Sequence, residues 1–63
     1  MSEATDTLYK AALAVFLLFN SSGKALDKEK VITATRTLLK AVGHEDLAAS
    51  PGVQAAVEAV FRS

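Results

Sequence analysis

A run of nine consecutive apolar residues, at positions 11–19, constrains the fold of this chain more than any other feature. We predict a helix over residues 4–20, closed by the turn at 20–23, where Gly23 can adopt the left-handed conformation. Together with Leu8 and Tyr9, the run covers nearly the whole circumference of that helix. A helix that is apolar on every side must be covered on every side, and two further short helices are not enough to do so.

The number of apolar residues supports the same conclusion. The chain has 32 of them, of which 12 are Ala and 20 are larger, whereas three helices of this size hide roughly a dozen large side chains. Without Cys, the chain has no disulfides to stabilise a small core. We therefore expect self-association, most simply a twofold homodimer formed through the first helix. The predicted interface residues are Leu8, Tyr9, Leu13, Phe16, Leu17 and Phe19.

A second helix is predicted after Asp27, which is suited to the N-cap position. Apolar residues then recur at helical spacing from Val31 to Val42, and Gly43 ends the segment. Residues 31–37 are rich in β-branched side chains and are also compatible with a strand. The cap and the absence of a second strand favour the helix.

A third helix is predicted from the pair Ser50-Pro51, with Ser50 as the cap and Pro51 at the first helical position. Val53, Val57 and Val60 form its apolar stripe. Residues 44–49 can form an additional short turn. The predicted fold is thus a single all-α domain of three helices spanning residues 1–63, packed as a dimeric bundle.

Charge is balanced, with seven basic and seven acidic residues, which argues against nucleic acid as the partner. The second helix nevertheless carries a candidate basic contact face, made of Lys28, Lys30, Arg36 and Lys40. Such a face can meet an acidic protein, although most charge runs of this kind are solvated helix surfaces.

The residues that carry chemistry do not form a catalytic or metal-binding pattern. His44, Glu45 and Asp46 are adjacent, and adjacent residues point apart, whereas a helical metal pair needs i, i+4 spacing. A domain this small also leaves little room for a pocket that orients a nucleophile. We predict no enzyme activity, no cofactor and no metal site.

Membrane insertion and export are not expected. The nine-residue run is about half as long as a bilayer-spanning helix, and the residues before it include Glu3 and Asp6 instead of a basic segment. The predicted location is the cytoplasm.

Four short segments together resemble a known family: YKAAL at 9–13, NSSGK at 20–24, LDKE at 26–29 and AVGHE at 41–45. The pattern is similar to the N-terminal dimerisation domain of the acidic ribosomal stalk P-proteins of archaea and eukaryotes. The resemblance implies a dimerising helical domain. Two departures are a second helix about one turn longer and the absence of the Ala/Gly-rich hinge and acidic tail, so recruitment of translation factors is not implied. The turn at 20–24 is also similar to tellurite-resistance B-like domains, without their paired acidic residues.

The favoured interpretation is a small protein–protein interaction module that forms a homodimer. One alternative is a compact inhibitor or regulator, of mobile-element origin, that binds a larger protein as a monomer. The other is a DNA-binding regulator that uses the basic residues of the second helix.

Overall fold

The computed structural model describes residues 2–63 and contains four α-helices in that range. They are α1 (Glu3–Ser21), α2 (Lys28–Ala41), α3 (Glu45–Ala48) and α4 (Gly52–Arg62). The all-helical fold is confirmed, and α1, α2 and α4 lie close to the bounds predicted for the three helices. The segment predicted as an additional turn contains the single-turn helix α3.

Glycines end both of the first two helices. Gly23 after α1 has a φ of 74° and Gly43 after α2 a φ of 89°, the left-handed region that side chains with a Cβ rarely adopt. In each case the amide of the following residue donates to a carbonyl five residues back, at 3.1 Å after α1 and 2.8 Å after α2. These bonds satisfy helix-end carbonyls, so the two predicted helix ends are confirmed with their mechanism.

Capping side chains fix where the helices begin. At α1 the Ser2 hydroxyl accepts from the Thr5 amide at 3.2 Å. At α2 the Asp27 carboxylate accepts from the Glu29 amide at 3.0 Å, as predicted. Such a cap typically contributes about 1 kcal/mol.

The β-branched segment of α2 is helical, and two of its hydroxyls bond within the helix. Thr35 is fully buried, and its Oγ1 donates to the Val31 carbonyl at 2.7 Å. Thr37 donates in the same way to the Thr33 carbonyl at 3.1 Å. A threonine that bonds back to the carbonyl four residues earlier carries no unsatisfied polar atom into the core.

The core lies where α1, α2 and α4 meet. Phe16 of α1 and Phe61 of α4 pack edge to face, with ring centroids 5.3 Å apart and an interplanar angle of 81°, the geometry that aromatic quadrupoles favour. The buried apolar residues form two adjoining clusters. They are Leu8, Ala12, Val15, Val31, Leu39, Ala48, Val53, Val57 and Val60.

The start of α4 differs slightly from the prediction. Pro51 precedes the helix instead of occupying its first position, and Gly52 is the first helical residue. The hydroxyl of Ser50 still accepts from the Gly52 amide at 2.9 Å. Ser50 therefore caps the start of α4, from a position one residue further out than expected.

Candidate interaction surface

The side of α1 that faces away from the core carries a contiguous apolar patch. Leu17 and Leu18 expose 53% and 65% of their surface, Ala14 is exposed and Leu13 is half-buried. Residues spaced three and four apart are neighbours on a helix surface, so these four side chains form one continuous patch. We call Leu13, Ala14, Leu17 and Leu18 the outer face of α1.

The position of this face follows from helix geometry. The buried residues of α1 are Leu8, Ala12 and Val15, which share one side of the helix. Leu17 comes nine residues after Leu8, and at about 100° per residue that places it on the opposite side. Ala14, Leu17 and Leu18 are therefore exposed, whereas Leu13, at the edge of the outer face, is half-buried against the core.

Other exposed apolar side chains of this size are isolated. In the described part of the chain they are Leu26 and Val42, which flank the two ends of α2. Single exposed apolar side chains are common on protein surfaces, whereas a contiguous patch is informative. The outer face of α1 is the place where such residues cluster.

The predicted interface requires one correction at Leu8. This residue is only 8% exposed and belongs to a core cluster with Leu39 and Val53. At the start of α4, a Cβ placed on Gly52 would lie 2.8 Å from the Leu8 side chain, so α1 and α4 are in close contact there. Leu8 is covered by its own chain and cannot serve a partner.

Four further predicted interface residues are only partly available. Tyr9, Leu13, Phe16 and Phe19 are half-buried and pack against the main core cluster. They therefore contribute to the chain's own core and offer a partner only part of their surface.

Only Leu13 and Leu17 of the predicted set lie on the outer face, and Leu18 was missed. The spacing that groups Leu18 with Leu17 and Ala14 is visible in the sequence. What the sequence does not reveal is which side of a wholly apolar helix the other helices cover. That choice is made by packing.

The predicted basic face does not exist as a single surface. Arg36 is half-buried, and its Nη1 donates to the carbonyls of Ala48 and Ser50 at 2.6 and 3.2 Å. Lys28, Lys30 and Lys40 are exposed. At about 100° per residue, Lys28 and Lys30 lie about 160° apart around α2. Lys28 therefore lies apart from Lys30, and Arg36 is engaged inside the fold.

A polar rim borders the outer face at both ends. Toward the start of α1, Lys10 forms an ion pair with Asp6, with Nζ and Oδ2 2.9 Å apart. The two side chains are 74% and 49% exposed. Toward its end lie Asn20 and Ser21, which are exposed. An apolar centre within a polar rim is the usual anatomy of a protein–protein contact.

Further concave and polar features lie away from the outer face of α1. A groove of about 430 Å³ runs between α1 and α4, lined by Leu8, Tyr9 and small residues of α4. His44 is exposed at the start of α3, and its side chain makes no capping hydrogen bond. Within residues 2–63, no three side chains of His, Cys, Asp or Glu are grouped as metal ligands.

Over the same residues, no helix combines the length and the apolar character needed to cross a bilayer. Comparisons of the chain with protein-family models, characterised proteins and solved structures give no match.

Proposed function

We propose that this protein is a small, non-enzymatic, cytoplasmic interaction module that forms a homodimer through the outer face of α1. The observation that carries the proposal is the pair of exposed leucines, Leu17 and Leu18, beside Leu13 and Ala14 on an otherwise well-packed domain. Covering this patch with a second copy removes it from water in both chains. The stalk-protein resemblance implies the same dimerising role for the first helix.

The size of the exposed patch sets the expected affinity. Covering the exposed half to two-thirds of a leucine contributes roughly 1–2 kcal/mol, so four such leucines in a dimer contribute roughly 4–8 kcal/mol. Association itself costs an estimated 4–15 kcal/mol at the 1 M standard state. The leucines alone therefore support a weak dimer, and contacts from the polar rim have to add to them. We expect a dimer that dissociates on dilution.

The same patch is also the natural contact for the alternative function, a monomeric regulator that binds a larger protein. A homodimer is favoured because the patch is on a long, regular helix, and two such helices can pack along their length with one surface serving both chains. The DNA-binding alternative loses support, because Arg36 is engaged by backbone carbonyls and Lys28 lies on a different side of α2 from Lys30.

Sedimentation equilibrium of the purified protein over roughly 5–500 µM tests the proposal. The wild-type mass is expected to rise from monomer to dimer across this range. Leu17→Lys is expected to abolish the rise, since it places two charges in the contact. Val42→Lys is the matched control, because Val42 is equally exposed, at 59%, but lies outside the patch. A wild-type protein that stays monomeric throughout, or a dimer that survives Leu17→Lys, would contradict the proposal.

A further inference from the structure

We propose that the two α1 helices of this homodimer lie antiparallel, with Ala14 of each copy against Leu17 of the other. This inference rests on the dimer proposed above and adds its orientation and register. It is carried by the spacing of residues on α1 and by the distribution of charge at the two ends of the helix.

A straight seam runs along the exposed side of α1. Lys10, Ala14, Leu17 and Ser21 are separated by four, three and four residues, the alternation found in helices that pack along their length. At about 100° per residue they fall within about 60° of arc. All four residues are exposed. The seam therefore extends over three turns and is open to a second helix.

The seam is complementary to itself when reversed. Pairing Ala14 with Leu17 sets a small side chain against a large one, which lets knobs of one helix enter holes of the other. The twofold axis of this arrangement crosses the helix midway between positions 15 and 16. It places the two copies of Leu13 on one side of the seam and the two copies of Leu18 on the other. In a parallel dimer each residue instead meets its own copy, so Ala14 would face Ala14 and leave a gap between the leucines.

Charge at the helix ends favours the same orientation. The reversed seam places Lys10 opposite Ser21 in the last turn of the other helix. That turn contains no basic residue of its own, and a cation near a helix carboxyl end is stabilising. A parallel seam would place Lys10 beside the second Lys10, where like charges repel.

The absence of cysteine in the chain makes disulfide trapping a clean test. Lys10→Cys and Ser21→Cys are prepared as separate full-length variants of different mass, one carrying a cleavable tag. They are mixed in a glutathione redox buffer at a concentration where wild type is dimeric by sedimentation. In the antiparallel register, position 10 faces position 21. Two copies of position 10 are then about 16 Å apart along the axis, too far for a disulfide.

The expected result is a heterodisulfide between the two variants at least about tenfold above each homodisulfide, whereas random collision gives a statistical mixture. Thr33→Cys, exposed on α2, is the background control. A Lys10→Cys homodisulfide that matches or exceeds the heterodisulfide would overturn the orientation and leave the homodimer standing. A dimer that traps no pair above background would also overturn it. A wild-type protein that sediments as a monomer would overturn the homodimer itself.

Discussion

Arg36 of α2 donates a 2.6 Å hydrogen bond from Nη1 to the backbone carbonyl of Ala48, the last residue of α3. The same nitrogen reaches the Ser50 carbonyl at 3.2 Å. One guanidinium thus joins the middle of α2 to the connection between α3 and α4. Ala48 is also buried in a core cluster with Leu39 and Val53, so apolar packing and a charged hydrogen-bond donor hold the same segment against α2.

We predict that Arg36→Ala lowers the free energy of unfolding by about 1–3 kcal/mol, because the Ala48 carbonyl loses its charged donor. Lys40→Ala is the matched control: it removes the same charge from the same helix at an exposed site, and is expected to change stability by no more than about 0.5 kcal/mol. Urea unfolding followed by circular dichroism measures both. Equal effects of the two substitutions would mean that the charge, and not the hydrogen bond, is what matters.

The role of Arg36 also illustrates what sequence reasoning misses. Helix starts and ends are local decisions, so Asp27, Gly23 and Gly43 were sufficient to predict them. The sequence pattern places Arg36 on a candidate basic contact face, because its position lies on the polar side of the predicted helix. Its partners lie 12 and 14 residues away, and no local pattern specifies that contact.

The same limit explains the errors at the interface. The apolar run at 11–19 correctly indicated that α1 has more apolar surface than the chain covers. It did not distinguish Leu8, which is covered, from Leu18, which is not, because both are leucines on a helix that is apolar all round. Only the placement of α2 and α4 separates them. The orientation of the second α1 helix depends in addition on contacts between two chains, and it remains a prediction.

A second prediction concerns the contribution of the buried Thr35 hydroxyl to stability. Its partner, the Val31 carbonyl, also receives the ordinary helical bond from the Thr35 amide, so loss of the hydroxyl leaves no orphan acceptor. Thr35→Val is expected to stay within about 1 kcal/mol of wild type. Thr35→Ser keeps the hydroxyl but removes a fully buried methyl group, and is expected to cost about 1 kcal/mol or more. Thermal and urea unfolding rank the two variants, and the reverse ranking would contradict this account.

Gly43 offers a third prediction. Its φ of 89° is left-handed, and a Cβ at this position would meet no other atom within 4 Å. Gly43→Ala is therefore penalised by backbone conformation alone, at about 1–2 kcal/mol. Asparagine tolerates this region better, so Gly43→Asn is expected to lose less stability than Gly43→Ala. If a side-chain clash were responsible instead, the larger asparagine would lose more, and unfolding curves of the two variants decide between these causes.

The outer face of α1 gives a prediction about stability that is independent of any measurement of mass. Because only the folded chain can form the proposed dimer, self-association stabilises it by mass action, and its melting temperature should rise with protein concentration. In the double variant Leu17→Gln/Leu18→Gln that dependence should disappear. At low concentration, where wild type is monomeric, the variant should melt close to wild type, since the two leucines are more than half exposed and contribute little to the chain's own core. The control variant Leu39→Ala, at a fully buried position, is expected to give the opposite pattern, with a loss of about 2–5 kcal/mol at every concentration. A large loss for the double variant at low concentration would show that the leucines stabilise the single chain, and the outer face would then have no need of a partner.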